Sequence, residues 1–191
     1  MDVTLLNPFI SAVSEILEKE VGIQPSKGRV SLQKAAHTTE EVTILIRLAG
    51  HIEGMVAYGM SEATAKAFIS QMMGQEWSVL DELAQSALGE LGSMVAGLAK
   101  TELLDRGYET SISPPLLILH EGALVSTLDM QRLVVTMETP NGPVQVHLSL
   151  RKGKVQGWFT PAGVADWTKK QVRESRLEAS VPIPMIPSME K

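Results

Sequence analysis

Cysteine is missing from all 191 residues, which removes disulfides, thiolate metal sites and a thiol nucleophile together. Its absence fits a reducing compartment. A surplus of positive charge is missing too: 17 Lys and Arg stand against 22 Asp and Glu, for a formal net charge of −5. Nucleic-acid binding draws on clustered cations, so that class of function is set aside. No apolar run reaches the ~20 residues that a membrane-spanning helix needs. The uncharged stretch at 3–14 follows Asp2 instead of basic residues and is interrupted by Asn7-Pro8. It does not read as a secretory signal, and the expected location is the cytoplasm, with no membrane insertion.

Motifs of the common chemistries are also lacking. No glycine loop precedes Lys-Ser or Lys-Thr, and there is no dinucleotide fingerprint. His37, His51, His120 and His147 are far apart and match no metal-ligand spacing, so no metal site and no cofactor of the protein's own are expected. Ser149-Leu150-Arg151-Lys152 matches Ser-x-x-Lys in form only, at a strand end without supporting motifs. Met72 and Met73 close a helical segment and suit gaps in a core.

What is present is a chain long enough for one sizeable core. A helix is predicted over 7–20, with Pro8 in its first turn, an apolar stripe of Phe9, Val13, Ile16, Leu17 and Val21, and Gly22 as its stop. Strands are predicted at 29–34, 42–49 and 54–59; the second is apolar on both alternations and belongs inside a sheet. Ser61 caps a short helix over 62–73, ended by Gly74. Ser78 with Asp81 three residues on gives a capping-box pattern for a long helix reaching about Arg106. Strands follow at 116–120, 123–127, 131–139 and 144–150, the last two joined by the Asn141-Gly142 hairpin turn. Helix-then-strands occurs twice, which points to an α+β domain of two related halves, long helices over an antiparallel-rich sheet. The domain is drawn over 1–153, a helical extension within 154–180 (helix at 161–177), and a proline-rich extended tail over 181–191.

The long helix carries the functional question. At about 100° per residue, Glu82, Ser86, Glu90, Ser93, Gly97 and Lys100 share one line, while Leu80, Ala84, Leu88, Leu91, Val95 and Leu98 take the other side. Glycines at 89, 92 and 97 each cost a helix interior roughly 1 kcal/mol against alanine. They call for a reason, and close approach by another backbone or a partner supplies one. The plain alternative is a surface helix with small residues where it crosses a sheet.

Ser86, Glu90 and Ser93 resemble the Asp/Ser-x-x-x-Glu-x-x-Asn signature of the CheC/CheX/FliY phosphatases of bacterial chemotaxis, with serine in the asparagine position. Gly50-His51-Ile52-Glu53-Gly54 and Met72-Met73-Gly74 are similar to CheX segments before the signature. Ser111-Ile112-Ser113-Pro114-Pro115 and Val146-His147-Leu148-Ser149 are similar to segments after it. The likeness runs from about Leu5 to Gly153. It implies a duplicated α-β fold and a homodimer that leaves the signature face open. It also implies docking on a phosphorylated CheY-type receiver domain, which brings its own Mg²⁺. In the family the glutamate pairs with a receiver lysine, which maps onto Glu90, with Ser86, Gly89 and Gly97 flanking. The asparagine orients the water that attacks the aspartyl phosphate, which maps onto Ser93. A serine there leaves two outcomes, retained dephosphorylation or a binding and scaffolding module. A third reading uses the glycine-rich face for structural dimerisation. Ser11, Glu15 and Glu18 repeat the spacing in the first helix and are read as structural.

Overall fold

The computed structural model describes residues 3–34, 37–125 and 130–153. The helix expected at 161–177, the tail at 181–191 and the boundaries drawn beyond Gly153 lie outside these residues.

The first helix, α1 (Asn7–Ile16), buries Phe9, Ala12, Val13 and Ile16. It ends four residues earlier than the sequence predicts, because one π turn, Leu17–Val21, follows. The wider turn keeps both Leu17 and Val21 in the core, and Gly22 closes it at φ 73°. Strands β1 (Ser26–Gln33), β2 (His37–Thr38), β3 (Val42–Gly50) and β4 (Ile52–Met60) come next. Helix α2 (Glu62–Met73) is capped by the Ser61 hydroxyl, which accepts from the Thr64 amide at 3.1 Å. Helix α3 (Glu82–Asp105) precedes β5 (Thr110–Ile112), β6 (Leu116–Ile118), β7 (Leu124–Val125), β8 (Arg132–Glu138) and β9 (Val144–Lys152).

The main sheet is antiparallel throughout, in the order β1-β8-β9-β4-β3-β5, with β6 also on β3. This order reads alike from both ends. The first strand of each half, β1 or β5, lies outermost and pairs with the hairpin of the other half, β8–β9 or β3–β4, and the last strands, β4 and β9, pair at the centre. The doubling expected from the sequence is therefore built into the topology. β2 and β7 form a separate two-stranded ribbon, and Val125 of β7 packs on Leu45, Met55 and Ala57 on the sheet's outer face.

β5 had no counterpart among the predicted strands. It is three residues long, too short to show a period, and Ser113-Pro114-Pro115 separates it from β6 by removing two backbone donors. Its pairing with Leu48–Gly50 of β3 is a tertiary event. Gly54, in the Gly50–Gly54 segment, has φ 137°, and a Cβ there would stand 2.0 Å from the Ser149 carbonyl oxygen. That glycine lets β9 lie close against β4.

All three helices cover the same sheet face. Ile44, Ile46 and Leu48 of β3, Val56 and Tyr58 of β4, and Val146 and Leu148 of β9 meet Phe9, Phe68, Leu88 and Leu103 in one core. Tyr58 is the exception to its chemistry: its hydroxyl is buried with no hydrogen-bond partner among the described residues, and burial pushes the phenol well above its ordinary pKa. Removing an unsatisfied buried hydroxyl relieves a desolvation cost. Tyr58→Phe is expected to raise stability by about 1 kcal/mol in urea denaturation. The native state holds the proton where the unfolded chain releases it, so wild-type stability falls as the pH climbs past 10.0, the phenol's ordinary value. The phenylalanine variant should lack that component of the alkaline slope.

Candidate functional site

The start of α3 is set by Asp81, whose carboxylate accepts from the Ala84 amide at 2.9 Å and from the Trp77 indole N–H at 3.3 Å. The capping-box reading placed that start at Ser78; the carboxylate closest to the first free amides took the role instead. Its 24 residues extend about 36 Å at 1.5 Å per residue, and α1 packs along it.

Ala84, Leu88, Leu91, Gly92, Val95, Ala96, Ala99 and Leu103 form the buried side. Ser86 and Glu90 are exposed, while Ser93, Gly89 and Gly97 are half-buried. The predicted face is therefore one continuous outward surface. The three glycines separate by cause. A Cβ on Gly92 would meet Ile44 Cγ2 at 2.6 Å, one on Gly89 would meet only Pro115 Cγ at 3.7 Å, and one on Gly97 would meet nothing within 4 Å. Gly92 serves the contact between helix and sheet. Nothing described in this chain needs glycine at 97, and at 89 an alanine would make only ordinary contact.

The polar groups on this face are unengaged. Glu15 is held by Lys19 at 2.6 Å, and Glu62 and Glu102 pair with Lys66 and Arg106, all four residues on. Glu90 has Ser86, Ala87, Ser93 and Met94 at the neighbouring helical positions, and among the described residues it makes no ion pair or hydrogen bond. Helical hydroxyls elsewhere fold back on the carbonyl four residues earlier: Ser14 on Ile10, Ser70 on Lys66 and Thr101 on Gly97. Among the described residues, the hydroxyls of Ser86 and Ser93 make no hydrogen bond.

The first-helix repeat is built differently. Ser11, Glu15 and Glu18 are exposed and line an open groove with Lys27 and Met137, but Glu18 lies in the π turn and Glu15 is occupied by Lys19. The helical register that aligns Ser86, Glu90 and Ser93 is broken there. Of the histidines, His147 contacts Glu40 at 3.1 Å on the sheet's outer face, and His51 Nδ1 accepts from the Glu109 amide at 3.1 Å. Among the described residues no three His, Asp or Glu side chains are grouped to hold a metal ion.

The sequence reading passed over two leucines on the same face. Leu83 and Leu104 stand seven residues before Glu90 and seven after Gly97, so Leu83, Glu90, Gly97 and Leu104 follow one line with about 20° of drift per step. Each leucine is 53% exposed. The seven-residue spacing is present in the sequence, but a leucine turned to solvent and one turned to the core look alike there. Pro115 was noticed only as part of a segment, and its place beside Gly89 needed the fold.

Comparison with known proteins identifies the family. A family model described as chemotaxis phosphatase CheX matches residues 42–138. The CheY-P phosphatase CheX of Thermotoga maritima is 31% identical over 154 residues, covering 80% of this chain and 99% of that one. The crystal structure of a CheC-like superfamily protein from Shewanella sp. PV-4 superimposes with a TM-score of 0.72 at 24% identity, over 79% of this chain and 99% of that chain. The CheX–CheY–BeF₃–Mg²⁺ complex from Borrelia burgdorferi gives a TM-score of 0.67 at 25% identity, over 77% and 97%.

Glycine substitutions test the split between fold and face. Gly97→Ala should stabilise the free protein by about 1 kcal/mol, because it removes a helix penalty and meets no atom. Gly92→Ala should destabilise it by about 1–3 kcal/mol, because Ile44 is buried and stiff at χ1. Thermal melts of the two variants moving in the same direction would contradict this division.

Proposed function

Because the chain belongs to the CheX family of chemotaxis phosphatases, we propose that it docks its α3 face on the phosphorylation site of a CheY-type receiver domain. The observation that carries this reading is Glu90, an exposed mid-helix carboxylate that no described side chain engages, with Ser86 and Ser93 beside it. The Borrelia burgdorferi CheX–CheY complex supports the choice of partner. In the reading that the family implies, Glu90 pairs with a receiver lysine next to the aspartyl phosphate. Gly89 and Gly97 let the receiver's surface come close to the helix. Mg²⁺ comes with the receiver and neutralises phosphoryl charge there.

Dephosphorylation is attack of water on phosphorus in line with the aspartyl oxygen. The new P–O bond forms as the acyl-phosphate P–O bond breaks, releasing phosphate and the free carboxylate. Such a reaction depends on positioning and charge stabilisation. Ser93 can donate one hydrogen bond and accept two, enough to hold a water. Its hydroxyl is shorter than a carboxamide and lacks the paired donor and acceptor, and a misplacement of about 1 Å costs on the order of a hundredfold in rate. The protein is thus a receiver-binding module whose dephosphorylation is slow beside that of an asparagine-bearing site.

A homodimer formed through the sheet accompanies this reading. Among the described residues β1 is an edge strand with one side unpaired, and Val30 and Leu32 on it are 48% and 55% exposed. Two such edges meeting across a two-fold axis would satisfy their free backbone groups and leave α3 open. Self-association through the glycine-rich face would instead bury Glu90 in the homodimer. A receiver partner supports a cytoplasmic location; no helix among the described residues is long and apolar enough to cross a membrane.

Glu90→Ala should weaken receiver binding by about 1–3 kcal/mol, the range for losing a charge-assisted hydrogen bond. Ser93→Ala should leave binding nearly unchanged, and Ser93→Asn should speed phosphate release from a phosphorylated receiver. An inactive Ser93→Asn, together with wild-type binding by Glu90→Ala, would rule the α3 face out. For assembly, light scattering at ~10–50 µM, scaled to ordinary dissociation constants, should show a dimer that Leu32→Lys converts to a monomer. A monomeric wild type would remove the dimer from the proposal.

A further inference from the structure

We propose that Leu83 is an apolar anchor for the receiver domain, meeting a nonpolar part of its surface beside the phosphorylation site. This rests on the receiver-docking reading and adds a contact that the signature residues do not include. Leu83 is the second residue of α3, lies within about 20° of Glu90 around the helix, is 53% exposed, and is absent from the core. An exposed leucine is unremarkable by itself. Its position in line with the unengaged carboxylate gives it meaning.

The size of an ordinary interface decides which leucine takes part. About 800 Å² per partner corresponds to a disc of radius about 16 Å. Centred on Glu90, such a disc reaches Leu83, about 10.5 Å away along the helix, and stops short of Leu104, about 21 Å away. Leu83 and Leu104 have equal exposure and lie on the same line, so Leu104 is an internal control. Val79, 57% exposed just before the helix, gives this end an apolar character. The docking surface therefore has a charged centre that addresses the phosphorylation site and an oily end, and the oily end supplies affinity that salt does not screen.

The experiment uses the full chain and a purified CheY-type receiver domain, charged with beryllofluoride and Mg²⁺, titrated by calorimetry at ~0.05 M and ~0.5 M salt, either side of the ~0.1 M at which the Debye length is about 10 Å. Leu83→Ser should raise the dissociation constant about tenfold at both salt concentrations, as removal of one buried leucine contact predicts. Leu83→Met should stay within about twofold, since it keeps the apolar volume. Leu104→Ser should match wild type. The deficit of Glu90→Ala should shrink at the higher salt. If wild type binds and Leu83→Ser binds equally well, the anchor is refuted while the docking proposal stands. An equal loss in Leu104→Ser also refutes it, because the footprint is then not centred on Glu90. If wild type does not bind the charged receiver, both proposals fail together.

Discussion

The separation between α3 and β3 governs what the outer side of that helix can present. Gly92 lies over Ile44 with no room for a methyl group, so the backbone of the helix rests closer to the sheet than any other residue would allow. Ala84, Leu88, Leu91, Val95 and Ala99 then lock the helix against the core and fix its rotation. A turn of one residue, about 100°, would swing Glu90 toward α1 or the sheet. The carboxylate is thus aimed by a contact on the opposite side of the helix, through packing that is close to crystalline in density.

Within a fold whose halves repeat, the two helices have diverged by ordinary physical means. One keeps regular α geometry and, among the described residues, leaves its central carboxylate without a cation and the hydroxyls of Ser86 and Ser93 unbonded. The other inserts a π turn at Leu17–Val21 and ties Glu15 to Lys19. The exchange is economical. The π turn brings Leu17 and Val21 into the core, which favours stability, and the first helix loses the alignment that a recognition surface requires.

Much of this was legible in the sequence. The apolar doubling of 42–49 located the strand that both halves build on, and glycines at 22 and 74 marked the ends of helical segments. Helical periodicity put Ser86, Glu90 and Ser93 on one face, and the resemblance they carry suggested the role proposed for it. Other features belong to tertiary structure. β5 is held by Leu48–Gly50 across more than fifty residues, and no local pattern announces it. The π turn answers a packing demand from Leu17 and Val21. The different causes behind Gly89, Gly92 and Gly97 are identical letters in the sequence, and only the atoms opposite each one distinguish them.

The mirrored strand order has a consequence for how the protein is made. Ser26 of β1 pairs with Glu138 of β8, and Gly59 of β4 with Gln145 of β9. Every strand of the first half, the ribbon strand β2 included, waits on one that is synthesised much later. A nascent chain that has emerged only through α2 holds the β3–β4 hairpin with both edges unsatisfied and α3 not yet there to cover its apolar face, a state prone to wrong pairing. Loop-closure entropy must be met across some hundred residues before the sheet closes, which places this fold among the slower, nonlocal topologies. The repeat that looks like two small domains is a single cooperative unit, and neither half is an independent one.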